Sequence, residues 1–292
     1  MAHAVLPGAP LLEGSPVRVD ADLRIPATDG FRLAATLHEP ATGQENGAAV
    51  LLNSASAVPR GYYDAFARFL AERGFTVLTY DYRGIGDSRP KSLAGFRAEL
   101  REWGEKDQAG ALDWITSHLR PRRILAVGHS IGGQMIGLAP NRSKISALLS
   151  IAAGNGYWKL WPSPRRYRMA LNWFVLVPLM SRAFRYLPGW AGTVEDLPGG
   201  VAREWAAWCR RPGFLFDGAE ERRTGYDSFR QPLLAYSFAD DTYAPRPAVE
   251  SLLTFYPNAE QTHRHVALRE AGAESIGHFG FFRPRFRDSL WR

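Results

Sequence analysis

The hexapeptide Gly128-His129-Ser130-Ile131-Gly132-Gly133 carries the strongest structural signal in the chain, because a short apolar run, Ile124 to Val127, precedes it and a helical pattern follows it. This order predicts a strand, a tight turn and a helix, the setting in which a nucleophilic serine is held exposed. The flanking glycines leave space that side chains would fill. Ser130 would begin a helix, where free N–H groups favour developing negative charge. His129 should point elsewhere and be structural.

Strand-like and helix-like patterns alternate on both sides of this hexapeptide. Strands are predicted at 17–25, 31–38, 48–52, 75–80, 124–127, 147–152, 233–238 and 266–268. Helices are predicted at 63–73, 103–119, from 134 onward, at 248–255 and near 281–291. This alternation is typical of an α/β fold with a mostly parallel, doubly wound sheet and helices on both faces.

The alternation stops between residues 154 and 230, where the chain is aromatic, proline-rich and partly helical with no clear strand. This stretch holds six of the nine tryptophans: Trp158, Trp161, Trp173, Trp190, Trp205 and Trp208. We interpret it as an inserted helical cap, or lid, over the carboxyl edge of the sheet. Trp158 and Trp161 are the candidates for a substrate-binding role, although most tryptophans here could instead form the core of the cap.

The predicted organisation therefore has four parts. An N-terminal tail occupies 1–16, a first part of the core 17–153, the cap 154–230 and a second part of the core 231–292.

A nucleophilic serine needs a base, and the base needs an acid that orients it. In folds of this class the acid and then the histidine follow the serine along the chain. His278 has this order and lies in a glycine-flanked loop. Asp240 and Asp241 both follow a predicted strand, and adjacent side chains leaving a strand point to opposite sides. One should face the histidine, and the other should cap the turn through the Thr242 or Tyr243 N–H groups.

Three segments together resemble the α/β-hydrolase superfamily: Asp81 to Ser88, the hexapeptide around Ser130, and Gly277-His278-Phe279. Two more stretches, Gly277 to Arg283 and Glu204 to Cys209, resemble an uncharacterised bacterial branch of predicted α/β-hydrolases with a C-terminal GHxGFFR motif. The resemblance extends over about residues 25 to 290. It implies an α/β-hydrolase fold and a serine hydrolase mechanism, and it brings no known substrate.

The resemblance also favours particular site residues. In the superfamily the acid commonly lies four residues before a proline that opens the next helix, and Pro245 then selects Asp241. The oxyanion hole needs two N–H donors. The first should be Ile131, directly after the serine. Many members carry His-Gly after the third strand, where this chain has Asn53-Ser54, so the Ala55 N–H takes the second donor position.

Composition excludes several other classes of protein. Hydrophobic residues make up 46% and charged residues 22% of the 292 residues, as in ordinary globular proteins. The formal net charge of +7 comes mostly from scattered arginines, without a nucleic-acid-binding signature, and we interpret it as a solvated basic surface. The single cysteine, Cys209, cannot form an internal disulfide. No metal-binding, Walker or dinucleotide motif is present, so no cofactor is expected.

No targeting signal is recognisable, because Pro7 and Pro10 break the N-terminal stretch before an apolar region can form. The longest apolar candidate, around 174–180, is too short to span a membrane. We therefore expect a cytoplasmic protein with a small-molecule acyl substrate and no nucleic acid or membrane span. The sequence does not indicate an oligomeric state.

The leading functional hypothesis is a serine hydrolase that cleaves an ester or a related acyl bond through Ser130, His278 and Asp241. An acyltransferase would use the same covalent acyl-enzyme with an alcohol or amine in place of water. A noncatalytic ligand-binding module on the same fold is the third hypothesis, and the complete set of serine, acid and histidine in the required order argues against it.

Overall fold

A large mixed sheet forms the centre of the structure, which is a computed structural model that describes residues 17–292. The predicted N-terminal tail lies outside the described residues. The strands are β1 (Arg18–Pro26), β2 (Arg32–Glu39), β3 (Ala48–Asn53), β4 (Thr76–Tyr80), β5 (Arg123–His129), β6 (Ile145–Ile151), β7 (Tyr186–Leu187), β8 (Leu197–Pro198), β9 (Leu233–Phe238) and β10 (Gln261–Val266).

Eight of these strands pair in the order β1-β2-β4-β3-β5-β6-β9-β10. The six from β4 to β10 run parallel, while β1 and β2 add an antiparallel edge. The prediction of a mostly parallel α/β sheet is confirmed. All six residues of β3 are buried, as expected for an apolar strand that is covered on both faces.

Helices connect the parallel strands. The α-helices are α1 (Asp64–Ala71), α2 (Leu100–Glu102), α3 (Ala109–Trp114), α4 (Ile131–Gln134), α5 (Arg165–Leu171), α6 (Val177–Ala183), α7 (Gly199–Cys209), α8 (Arg223–Asp227) and α9 (Arg246–Leu253). Wider π-helical turns at Trp103–Gln108 and Asn172–Leu176 join α2 to α3 and α5 to α6, and another at Ile115–Leu119 extends α3. None of the helices among residues 17–292 has the length and hydrophobicity needed to cross a bilayer.

The chain order around β3 determines where a ligand can bind. From β3 the chain moves to β4 on one side and later returns to β5 on the other, so the direction of winding reverses between β3 and β5. In open α/β sheets, ligands bind at the carboxyl ends of the strands at such a reversal. The loops after β3 and β5 carry Ala55 and Ser130, respectively.

Several local predictions differ from the structure. The predicted terminal helix is replaced by two 3-10 turns, Gly280–Phe282 and Pro284–Phe286, because Pro284 offers no N–H and Arg283 is extended. The last strand covers Gln261–Val266 and not 266–268, since an exposed edge strand can be polar. The helix expected from Gln134 onward is instead the short α4, followed by a 3-10 turn.

The inserted segment, residues 154–230, lies between β6 and β9 in the chain. It holds α5 to α8, and among the described residues it contributes no strand to the main sheet. It does contain β7 and β8, which pair antiparallel, so the expectation that it has no strand is wrong. These two strands have only two residues each, which is too short for sequence alternation to mark them.

Candidate active site

Ser130 occupies the tight turn between β5 and α4. Its backbone has φ 52° and ψ −118°, a conformation that a non-glycine residue adopts only when its surroundings impose it. A Cβ atom at Gly128 would clash with the Gly133 backbone, and one at Gly132 would clash with the Asn53 carbonyl group. The two glycines are therefore required by close backbone approach, and this is the geometry that the hexapeptide predicts.

Asp241 and His278 form a buried pair. His278 Nδ1 lies 2.8 Å from Asp241 Oδ2, and the other carboxylate oxygen, Oδ1, accepts the N–H groups of Tyr243 and Ala244 at 2.7 and 3.0 Å. Burial alone would raise the pKa of Asp241, but the nearby His278 and the two N–H groups outweigh it and lower the pKa. The carboxylate is thus ionised and fixed against the ring, which leaves Nε2 as the free imidazole nitrogen.

Asp240 supports the same loop from the other side. Its two carboxylate oxygens accept the N–H groups of Ile276 and Gly277, each at 2.9 Å. The expectation that Asp240 caps its own turn through Thr242 or Tyr243 is wrong, because Asp241 performs that capping with its second oxygen. The adjacent aspartates therefore both bind the segment around His278: Asp241 contacts the histidine side chain, and Asp240 accepts hydrogen bonds from the backbone.

Ser130 and His278 open on one cavity. The cavity has a volume of about 610 Å³ and lies between the carboxyl edge of the sheet and the inserted segment. Among the described residues, no hydrogen bond joins Ser130 Oγ to the His278 ring. Such contacts are often long in the absence of substrate and tighten when it binds. The lining is mostly apolar, with contributions from Met169, Trp173, Leu176, Met180, Trp190 and Trp205.

The two tryptophans predicted to line the cavity behave differently. Trp161 does line it, and its Nε1 donates to the Thr242 carbonyl oxygen at 3.0 Å, beside Asp241. Trp158 is not among the lining residues; its ring packs against Phe174, with ring centres 6.2 Å apart. Of the two predicted tryptophans, only Trp161 is therefore part of the cavity wall, and the assignment of Trp158 is wrong.

The two N–H groups predicted to bind the oxyanion differ in whether they are free to bind a ligand. The Ile131 N–H opens α4, directly after Ser130, and no partner is found for it among residues 17–292. The Ala55 N–H, by contrast, donates to Tyr63 Oη at 2.8 Å and is not free to face a ligand, so its assignment as the second donor needs correction. The next residue, Ser56, lines the cavity, and neither its N–H nor its hydroxyl is hydrogen-bonded within the described part of the chain.

His129 links these elements, a role that the sequence did not reveal. Its Nε2 lies 2.9 Å from the His278 carbonyl oxygen and therefore carries the proton. Nδ1 must then accept a hydrogen bond from Tyr63 Oη at 2.8 Å. Desolvation in its buried position, together with the nearby His278, lowers the pKa of His129 to about 3. The neutral ring thus connects the loop after β3 to the loop that carries His278.

The sequence contains no specific motif for the hydrogen bonds of His129, because tyrosine and histidine occur at many positions for other structural reasons. A tyrosine at 63 on an apolar helix reads as a core residue, and nothing in its spacing points to His129. The partners of Asp240 lie 36 and 37 residues later in the chain, beyond the reach of local sequence rules. Residues 17–292 contain no cluster of three or more His, Cys, Asp or Glu side chains suited to holding a metal ion.

Comparison with known proteins agrees with this architecture. The model of the alpha/beta hydrolase family matches residues 49–286, so the chain belongs to this family. Among curated proteins, it is 31% identical over 134 residues to the quorum-quenching protein AidA of Acinetobacter baumannii, covering 44% of this chain and 42% of AidA. It is also 32% identical over 133 residues to an uncharacterized protein of Mycobacterium tuberculosis, covering 44% of each. The chain spans less than half the length of these curated relatives.

Solved structures show the same fold at low sequence identity. Est1E from Butyrivibrio proteoclasticus, with ferulic acid bound, superimposes with a TM-score of 0.57 at 18% identity, covering 88% of this chain and 91% of Est1E. A serine hydrolase of Xanthomonas campestris described as lacking a lid has a TM-score of 0.53 at 13% identity, covering 93% of this chain and 89% of that one. The expected α/β-hydrolase fold is confirmed.

Proposed function

We propose that the protein is a serine hydrolase that cleaves esters of bulky, apolar acids. The observation that carries the proposal is the buried His278–Asp241 pair, 2.8 Å apart, which opens on the same cavity as Ser130 at its strained turn. Ser130 would be the nucleophile, His278 the base and Asp241 the residue that fixes the tautomer of the ring. Membership of the alpha/beta hydrolase family supports this assignment.

The proposed reaction has two halves. Ser130 Oγ attacks the ester carbonyl carbon while His278 Nε2 accepts its proton, and the tetrahedral intermediate collapses as that proton passes to the departing alcohol. A water molecule, activated by the same nitrogen, then releases the acid from the acyl-enzyme. The protonated ring that forms in each half is stabilised by the ionised Asp241.

Two N–H groups are proposed to hold the oxyanion. The Ile131 N–H is the first, since it follows the nucleophile and begins α4. We assign the second to Ser56 in place of Ala55, because the Ala55 N–H is already bonded to Tyr63 Oη. Ser56 borders the cavity, which supports this change by one residue in the loop after β3.

The inserted segment is proposed to act as the cap that determines acyl selectivity. Apolar side chains from it supply most of the cavity wall opposite Ser130, and a pocket of this size and character accommodates a medium-sized apolar group. This supports a preference for bulky over acetyl esters.

A panel of p-nitrophenyl esters of increasing acyl chain length tests the proposal. We expect hydrolysis with kcat/KM rising from acetate to longer acyl groups, and loss of about 10⁴–10⁶ in turnover for Ser130→Ala. Comparing the released acid with products formed in the presence of added alcohols shows whether water is the acceptor. Wild-type activity retained in a correctly folded Ser130→Ala variant would overturn the assignment.

A further inference from the structure

The inserted segment presents apolar side chains to solvent on its outer side. Along the continuous helix from α5 to α6, Tyr167, Leu171, Val175 and Leu179 are spaced four residues apart and are 65%, 50%, 46% and 62% exposed. Trp190, in the following 3-10 turn, is 76% exposed. We call the surface formed by Tyr167, Leu171, Val175, Leu179, Phe184 and Trp190 the outer face.

The outer face is continuous beyond the helix. The rings of Phe184, just after α6, and Trp190 are 5.9 Å apart in an edge-on arrangement, so the helix and the turn at 189–191 share one apolar surface. Single exposed apolar residues are ordinary, whereas a contiguous apolar patch on a folded protein marks a contact surface. The other side of the same helix is already occupied, because Trp173, Val177 and Met180 face inward and line the cavity.

The charges along the helix of the outer face have a single sign, and the two acids at its Trp190 end, Glu195 and Asp196, are already bonded to the Gly86 N–H and to Arg89. No aspartate or glutamate occurs between residues 114 and 194. The charged side chains of the segment up to residue 194 are all cations: Lys159, Arg165, Arg166, Arg168, Arg182 and Arg185. None of these is in an ion pair within the part of the chain that the structure describes. An apolar surface bordered by unpaired arginines complements an anionic phospholipid surface, where apolar side chains enter the headgroup region and cations meet phosphates.

The same charges argue against a second copy of this chain as the occupant. In a two-fold symmetric contact each patch meets itself, so arginines of one copy would be brought against arginines of the other. Like charges at a contact oppose association.

The outer face is also next to the mouth of the cavity. Trp190 belongs to both, and Leu176 and Val194 line the cavity while remaining 39% and 60% exposed. A protein resting on this face would therefore have its cavity open beside the lipid surface. An apolar ester dissolved in the bilayer could then enter directly, a consequence that rests on the proposed function.

We propose that the outer face docks on anionic phospholipid bilayers. The direct test is flotation of the full chain with vesicles of phosphatidylcholine mixed with phosphatidylglycerol, compared with vesicles of phosphatidylcholine alone. We expect the protein to float with the anionic vesicles, to float less with the neutral ones, and to be released from the anionic vesicles as salt is raised.

Variants separate the apolar and electrostatic parts of the contact. Leu171→Ser combined with Leu179→Ser should lower the partition coefficient at least about tenfold. Arg168→Gln combined with Arg182→Gln should lower the partition coefficient for anionic vesicles by about fivefold for each arginine removed. The matched control, Arg123→Gln with Arg230→Gln, removes the same charge at the opposite edge of the sheet and should change binding much less. Circular dichroism establishes that each variant is folded.

Binding is read without catalysis, so an inactive protein that floats would overturn the proposed function and leave the docking surface intact. Absence of flotation with anionic vesicles, or equal losses in the cap and control arginine pairs, would overturn the docking proposal. A concentration-dependent dimer in sedimentation velocity that Leu171→Ser and Leu179→Ser abolish would also overturn it, because the face would then be covered by a second copy.

Discussion

Asp241 Oδ2 lies 2.8 Å from His278 Nδ1, whereas its neighbour Asp240 bonds only to backbone N–H groups of the loop that carries this histidine. Asp241→Asn should therefore lower kcat by about 10³–10⁴, because the amide favours the wrong imidazole tautomer. Asp240→Asn is the matched control. It keeps one acceptor for the Ile276 or Gly277 N–H and should retain most activity while costing about 1–2 kcal/mol of stability. Steady-state kinetics and urea unfolding measure both, and reversed phenotypes would make Asp240 the orienting acid.

Tyr63 provides a second prediction, since its hydroxyl accepts from the Ala55 N–H and donates to His129. Tyr63→Phe leaves two buried groups without partners and should lower the free energy of unfolding by about 1–3 kcal/mol. Tyr62→Phe is the neighbouring control: it removes one hydrogen bond, to the Phe279 carbonyl oxygen, at a partly buried position. We expect it to cost less in the same urea titration. Equal costs for the two variants would contradict the bridging role of Tyr63.

The buried His129 should make the protein sensitive to acid. Its pKa is lowered to about 3 in the folded state, so between about pH 6.5 and 3 the unfolded chain binds the additional proton. This contribution to stability is complete above about pH 6.5 and is lost at up to about 1.4 kcal/mol per pH unit as the pH falls. The lowered pKa of Asp241 likewise lowers the stability of the folded protein as the pH falls below about 4.

The pH dependence is checked by measuring the free energy of unfolding from pH 4 to 8 for the wild type and His129→Gln. The variant should be less stable at pH 7, and its free energy of unfolding should depend less steeply on pH because it lacks the His129 ring. Some dependence should remain, since His38 and His263, whose pKa values are also lowered, are present in both proteins. Identical slopes would show that His129 does not titrate as its burial implies.

The cavity predicts a change in selectivity from a single enlarged side chain. Met180 lines the cavity, and Leu179, the preceding residue, points to solvent. Met180→Trp should fill part of the cavity, so that a long acyl chain buries less apolar surface there. We expect kcat/KM to fall by about tenfold or more for long acyl esters and to stay nearly unchanged for acetate esters. Leu179→Trp should alter neither. If both variants behave alike on the ester panel, the acyl group binds elsewhere.

The parts of the site that follow local rules could be predicted from the sequence. Gly128 is required because a Cβ atom there would meet the backbone of Gly133, five residues later, and this local reason is visible in the hexapeptide; Gly132 is required by the Asn53 carbonyl group, which only the fold brings close. The preference for Asp241 rests on the spacing to a helix-opening proline that the resemblance to the superfamily implies, and Pro245 does directly precede α9 in the structure. For Gly128 and for Asp241 the informative neighbours are close in sequence.

The remaining features depend on partners that only the fold brings together. Ala55 loses its free N–H to a tyrosine hydroxyl eight residues later, and Trp158 turns away from the cavity, although its spacing to Trp161 does not reveal this. The C-terminal segment has the aromatic residues of an amphipathic helix. It instead packs Trp291 against Phe66, with ring centres 5.1 Å apart, after Pro284 prevents a regular helix.

The central claim is that Ser130 is the nucleophile that His278 activates, and covalent labelling with a fluorophosphonate tests it most directly. Mass spectrometry should find one adduct, on Ser130, formed at a rate that falls by orders of magnitude in His278→Ala. Ser56→Ala is the control, because it removes the other serine hydroxyl at the cavity and keeps its N–H, so labelling should persist. An adduct on a different serine, or labelling of Ser130 that is unaffected by His278→Ala, would contradict the account.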